Sequence, residues 1–358
     1  LLFPEVIDMK KSARWLPALI APVVVAIGLI AVPTVANASS SAPDKSPAEV
    51  LALMARSTDA AYSGKITQDS NLGLPELPSS ASGSAGSSVS DALELLTSSH
   101  SARVFVDGAQ KQRVQVLDQL AERDGIRNGS DVWAYDSKKN AAVHLTLPSK
   151  KAAADTKLGS TTPAELAAQF VKKITPTTSV AVNNDADVAG RAAYELTLTP
   201  KTDATLVSNV KLVVDAATGV PLRVSVDARG QKAAAFTIGF SSIDFSKPAA
   251  DLFSFTPPKS ASVTTRSVPT GHPSTAATTT ADRPTVTGTG WAAIASVPGG
   301  QLGSGASTGA QSKLLDELTT KVDGGRALQT SLVSVLLTND GRILAGAVPV
   351  QSLESAAK

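Results

Sequence analysis

Leu212-Val213-Val214-Asp215-Ala216-Ala217-Thr218-Gly219-Val220-Pro221-Leu222-Arg223-Val224 reads as a strand, a tight turn and a second strand. Val210, Leu212 and Val214 recur at every second position before the turn Ala216-Ala217-Thr218-Gly219. After it, Leu222, Val224 and Val226 alternate with Arg223, Ser225 and Asp227. Side chains alternate across a strand, so one face of this pair is apolar and the other meets water. A connection this short joins antiparallel neighbours.

The same pattern extends in both directions. Tyr194, Leu196 and Leu198 alternate with Glu195, Thr197 and Thr199, and Phe236, Ile238 and Phe240 with Thr237, Gly239 and Ser241. Upstream, Arg103 to Val106 and Arg113 to Leu117 flank Asp107-Gly108 as a hairpin. Asp131 to Asp136 and Ala142 to Leu147 flank the turn Ser137-Lys138-Lys139-Asn140. Successive strands joined by short turns make an antiparallel meander, and the fold class is mainly β (α+β) with one large curved sheet. Two helices accompany it. Ser46-Pro47-Ala48-Glu49 is a capping box with proline in the first turn, and predicts a helix to about Ala61. Thr162-Pro163-Ala164-Glu165 repeats the device. Leu166, Ala167, Phe170, Val171 and Ile174 follow at helical spacing, with Gln169, Lys172 and Lys173 facing away. Such a helix lies on an apolar surface.

The N-terminus carries a different signal. Lys10, Lys11 and Arg14 precede an apolar run from Leu16 to Val35, followed by Ala36-Asn37-Ala38. That order is the pattern of a secretory signal peptide, with Met9 as its start and Ser39 as the mature N-terminus. The run is also long enough for a retained membrane anchor, although Pro17, Pro22 and Pro33 interrupt it. The expected location is outside the cytoplasm: extracellular, in the cell wall or in the periplasmic space. The chain has no cysteine, which removes disulfides, thiolate metal sites and catalytic thiols. A net charge of +2 and an aromatic content of 4% offer neither a basic stripe nor stacking platforms, so no nucleic-acid partner is expected.

Catalytic patterns lack their context. Gly305-Ala306-Ser307-Thr308-Gly309 matches a nucleophile elbow, yet the last histidine, His272, precedes it, and the surroundings are Gly/Ser-rich. His100, His144 and His272 have no metal-ligand spacing, and His144 reads as a surface or hydrogen-bonded strand residue. Asn183, Asp185 and Asp187 begin like a calcium loop, but Val188 stands where glycine is needed, so a polar turn is expected. Gly288-Thr289-Gly290-Trp291 lacks a βαβ unit around it. No catalytic residue, metal or cofactor is assigned, and the chain is read as not an enzyme.

The opening stretch resembles the strand–turn–strand of the LolA/RseB-like superfamily of exported bacterial envelope proteins. Asp251-Leu252-Phe253-Ser254-Phe255-Thr256-Pro257-Pro258-Lys259 resembles that superfamily's final segment. The helix at Pro47, followed by Tyr62-Ser63-Gly64-Lys65-Ile66, resembles its opening helix and first strand. The resemblance covers roughly residues 46 to 263 in the family's order. It implies a half-open β-barrel with helices on its concave face. It also implies either of two roles: carrying lipid or lipoprotein acyl chains, or sensing them and regulating a membrane anti-sigma factor. The chain departs from a plain carrier by a Ser/Gly-rich insertion, Ser79 to Ser90, and by a C-terminal module.

The expected organisation is a signal peptide over 1–38, a short linker over 39–46 and a half-barrel over 47–263. A Ser/Thr/Pro-rich linker over 264–289 and a small α+β module over 290–358 follow. In the module, Trp291 to Ser296 predicts a strand, and Leu314, Leu315, Leu318 and Val322 predict a helix. Leu332 to Thr338 and Ile343 to Val348 predict a hairpin about Asn339-Asp340-Gly341-Arg342. Leu196, Leu212, Val214, Leu222, Val224, Phe236 and Ile238 form the candidate lipid-binding face. That face is either dry core or a lipid cavity. The expected partner is accordingly a lipid or a lipoprotein acyl chain, with a membrane or envelope protein as the alternative.

Overall fold

The computed structural model describes residues 42–73, 99–118, 121–147, 163–267, 284–298 and 318–358. The signal-like segment, the Ser79 to Ser90 insertion, the Gly305 to Gly309 motif and His272 lie outside the described residues.

Among the described residues, twelve strands make the main sheet. The first meander is β1 (Ala61–Ser70), β2 (His100–Asp107), β3 (Lys111–Asp118), β4 (Ala121–Asn128), β5 (Asp131–Asp136) and β6 (Ala141–Thr146). The second is β7 (Thr178–Val188), β8 (Arg191–Pro200), β9 (Val207–Asp215), β10 (Pro221–Ala228) and β11 (Phe236–Asp244). Pairing of β1 with β11 joins the two, and β12 (Ser262–Ser267) adds to the far edge, parallel to β6. The order β12-β6-β5-β4-β3-β2-β1-β11-β10-β9-β8-β7 ends on two strands that do not pair with each other, so the curved sheet stays a half-open barrel.

Helix α1 (Pro47–Arg56) starts at the capping box. Glu49 N–H donates to Ser46 Oγ at 3.4 Å, and Ser46 N–H donates to the Glu49 carboxylate at 2.7 Å. It ends at Arg56 rather than near Ala61, because Ala61 already opens β1 and the chain must turn before it. Helix α2 (Pro163–Ile174) exposes Gln169, Lys172 and Lys173 and buries Ala167 and Ile174. Both helices pack on the concave face over β7 to β10. Val50 and Ile174 meet Tyr194, Leu196, Val210, Leu212, Val214 and Val226 there.

The β9–β10 turn is built by one carboxylate. Asp215 accepts hydrogen bonds from Thr218 N–H at 2.7 Å, Thr218 Oγ1 at 2.8 Å and Ala217 N–H at 3.1 Å. Arg191 Nε donates to its other oxygen at 2.7 Å. Gly219, at φ +78°, sits against the Leu53 backbone of α1, where a Cβ would collide. Ser57 Oγ fastens the contact by donating to Gly219 O at 3.0 Å.

Several sequence expectations need correction. Strands β4 and β7 were not legible; Asn183 to Asp187, expected as a polar turn, is a β7 segment with a register shift between Asn183 and Ala186. The stretch read as a linker begins in β12 and ends in a strand of the C-terminal module, β13 (Thr285–Thr287). That module adds β14 (Ile294–Pro298), β15 (Thr320–Val322), β16 (Gly325–Gln329), β17 (Ser334–Thr338), β18 (Arg342–Gly346) and helix α3 (Val350–Ala357). Its order is β13-β14-β18-β17-β16-β15, around Ile294, Ala327, Leu336, Leu344 and Leu353. Val322, expected in a helix, lies in β15, and Trp291 sits in a 3-10 turn before β14. Among the described residues, no helix is long and apolar enough to cross a membrane.

The module is seated on one end of the main sheet. Leu206 N–H and Thr205 Oγ1 both donate to Ala347 O, at 2.8 and 2.7 Å. Ser331 N–H donates to Leu72 O at 2.9 Å. Trp291 is buried in the main sheet's own cluster, and its Nε1 donates to the buried Thr178 hydroxyl at 2.8 Å.

Candidate functional site

The concave face divides into three zones. Under α1 and α2 it is packed core: Leu196, Leu212, Val214 and Val224 are buried in one cluster, with Phe236 and Ile238 half-buried against it. Leu222 belongs to an adjoining cluster with Tyr62, Val104, Val106 and Phe240. So the structure brings six of the seven candidate face residues together and seats the seventh beside them.

The second zone is a cleft next to this core. Tyr62, Ile66, Val104, Leu222, Val224, Ile238 and Phe240 line it, and it encloses about 40 Å³. Tyr62 and Phe240 meet edge to face with centroids 5.9 Å apart. Burial pushes the Tyr62 hydroxyl up to about 12. A Cβ at Gly64 would lie 2.7 Å from the Phe240 ring, so glycine there lets that ring lie over the strand. Tyr62, Ile66, Val104 and Phe240 were not among the candidate face residues. Phe240 continues the Phe236–Ile238 alternation, and Tyr62 and Ile66 flank Gly64 at the same two-residue period, so the signal was present for three of them.

The third zone runs away from the cleft across β2 to β6. Register places Gly64, Val104, Val114, Gly125, Ala134 and Val143 opposite one another in successive strands. Partners across a ladder share a face, so the six form one row. At about 4.8 Å per strand the row is about 24 Å long. Its neighbouring rows carry Ala102 and Val116 on one side and Val132 and Leu145 on the other. Burial falls along it. Val104 is buried, Val114 is half-buried, Gly125 and Ala134 are exposed, and Val143 is 41% exposed. Among the described residues, nothing lies within 4 Å of where a Gly125 Cβ would be. The result is a trough with small and aliphatic residues in its floor and polar side chains on its flanking rows, Arg123 and Asp136 on one and Gln112 and Arg127 on the other.

The opposite face of these strands is covered. Phe253 is buried against it, Arg113 Nη1 donates to Leu252 O at 3.2 Å, and Phe255 packs on Trp133 and Tyr135 at 5.5 Å each. His144 stacks on Trp133 at 4.2 Å and bonds Asp131 through Nε2 at 2.8 Å. Among the described residues, no group of three or more His, Asp and Glu side chains converges to hold a metal ion.

Neither a protein-family model nor a curated protein sequence matches the chain. Solved structures do. MucB in complex with MucA(peri) is 17% identical, with 87% of this chain and 97% of that chain covered and a TM-score of 0.45. The Pseudomonas aeruginosa MucA/MucB complex is 17% identical, with 86% and 95% covered and a TM-score of 0.43. A LolA superfamily protein from Nitrosomonas europaea is 11% identical, with 59% and 99% covered and a TM-score of 0.24. The chain is similar to these solved structures. The likeness is one of fold alone.

Proposed function

We propose that the chain is a non-catalytic binding protein of the bacterial cell envelope that lays the acyl chain of a lipid or lipoprotein along its concave trough. The observation that supports this is the apolar row from Gly64 to Val143, open among the described residues at its β4 to β6 end. Leaving such a strip wet costs about 25 cal/mol for every Å² of apolar surface, and an aliphatic ligand removes that cost. A resident ligand inside the cleft is not supported. Ligand pockets measure about 300–1,000 Å³, and the cleft encloses about 40 Å³. The acyl chain therefore lies in the open trough, with its end at the cleft.

Gly125→Phe tests the reading. The site has free space and phenylalanine suits a strand, so the fold tolerates the change while the ring blocks the trough. A fluorescent fatty acid should bind the parent protein saturably, and at least tenfold more weakly to Gly125→Phe, with the melting temperature within a few degrees. A parent that binds no fatty acid, or a variant that binds as well as the parent, sinks the proposal. In that event the seating of the C-terminal module on the sheet, through Trp291 and Ala347, favours the second role. In that role the chain is a sensor that engages a membrane or envelope protein.

A further inference from the structure

We propose that the opposite, polar face of the main sheet binds a phosphorylated polyol in a cleft over β1, β11, β10 and β9. This site adjoins the apolar cleft, with which it shares Arg223, Gly239 and Phe240, while the trough across β2 to β6 lies on the other face. The polar cleft is open to solvent and offers about 440 Å³, and Thr67, Asp69, Lys211, Arg223, Ser225, Asp227, Lys232 and Thr237 supply its polar lining. That volume falls in the ordinary range for small-molecule sites.

Register explains why these side chains converge. Thr67, Gly239 and Arg223 oppose one another across β1, β11 and β10. Asp69, Thr237, Ser225 and Lys211 form the next row, reaching β9. Gly239 leaves a gap in the first row. A Cβ there would stand 3.0 Å from Arg223 Cγ, so the arginine stem lies across the glycine.

The partners of these groups divide them by task. Lys211 pairs with Asp227 at 3.2 Å, which fixes both. Asp69 accepts from Ser99 Oγ at 3.3 Å. Arg223 and Lys232 have no ion-pair or hydrogen-bond partner among the described residues, and neither do the hydroxyls of Thr67, Ser225 and Thr237. Asn209, facing Asp227 across the ladder, has a buried Oδ1 with no donor. An arginine fork and an ammonium group match a phosphate, the fork by two parallel hydrogen bonds. Two carboxylates and three hydroxyls match the neutral hydroxyl groups of a polyol, and the carboxylates repel a ligand charged along its whole length. One phosphate on a polyhydroxylated body is the chemistry that satisfies both halves. Such a group is carried by free sugar phosphates and by phosphoglycerol lipid headgroups.

The test is calorimetric titration of the full chain at low salt with glucose 6-phosphate, glycerol 3-phosphate, glucose and inorganic phosphate. Co-sedimentation with phosphatidylglycerol vesicles runs alongside. At least one of the two phosphorylated polyols should bind saturably, and glucose and inorganic phosphate at least tenfold more weakly. Arg223→Gln should weaken binding tenfold or more and Lys232→Gln several-fold, while Gly125→Phe on the other face leaves it unchanged. Both cations are exposed, so melting temperatures should hold. Vesicle binding lost in Arg223→Gln assigns the site to a lipid headgroup. Binding of the soluble compounds without vesicle binding assigns it to a free phosphate. Equal affinity for inorganic phosphate, affinity unchanged by Arg223→Gln, or binding of none of the probes overturns the proposal.

Discussion

Tyr62 joins the two halves of the concave face, and its chemistry is set by burial. It lies between the Phe240 and Phe245 rings, with centroids 5.9 and 6.2 Å away. An ionised phenolate there has lost its water, so its pKa rises to about 12. The folded state thus holds the proton more tightly than the unfolded chain, whose tyrosines titrate near the ordinary value. The resulting stability is fully present below about pH 10 and is lost as pH climbs toward 12, for a total of about 2–3 kcal/mol. The chain has three tyrosines. Burial, with the nearby Asp44 and Glu49 carboxylates, raises Tyr194 as well, so absorbance titration of the folded protein should show two of the three lagging, and Tyr62→Phe should remove the later of the two. Three tyrosines ionising together near pH 10 in the folded state would contradict this account.

Among the elements, the β9–β10 turn does the most. Asp215 is 0% exposed and serves the turn, the β8 partner Arg191 and, through Gly219, the seat of α1. The pairing holds the Arg191 guanidinium above its ordinary value, mainly through its hydrogen bond to Asp215. Asp215→Ala leaves two backbone N–H groups and a hydroxyl without their acceptor, and should destabilise the fold by about 3 kcal/mol. Denaturant melts measure it, and a loss under 1 kcal/mol would show that water replaces the carboxylate. Strands β4 and β7 show why elements escape notice. Ala121-Glu122-Arg123-Asp124-Gly125-Ile126-Arg127-Asn128 has one large apolar side chain, and only Ile126 and Asp124 are buried. The paired Arg113–Asp124 charges on the side covered by Leu252 and Phe253 erase the alternation that a strand is recognised by. β7 is an edge strand whose polar run is steadied by Asn184, which bonds Ala42 O and Asp44.

For the whole molecule, the two sheets share a core. Trp291 comes from the C-terminal module, yet it is buried among the residues under α1 and α2. A boundary over 264–289 is legible as composition, but the composition does not say where the next aromatic residue docks. Trp291→Ala should cost about 3–5 kcal/mol and leave Thr178 without its donor. The parent should unfold in one cooperative step by calorimetry, and the variant should show the module melting ahead of the sheet. Two separate transitions in the parent would mean that the shared packing adds little.

Alternation and turn chemistry carried most of the fold. Leu196, Leu212, Val214, Val224, Phe236 and Ile238 share a face because strand side chains repeat every two residues, which is a local property of the chain. The capping box at Ser46 and the Asp215 turn are local as well, each closing within four residues. Three features needed the tertiary structure. Leu222 falls in a neighbouring cluster because register shifts between Pro221 and Arg223. The trough depends on which residues of β1 to β6 stand opposite one another. The polar cleft depends on Gly239 facing Arg223. Each is a matter of register between strands distant in sequence, and register is settled only when the strands pair, where a one-residue slip would exchange the two faces.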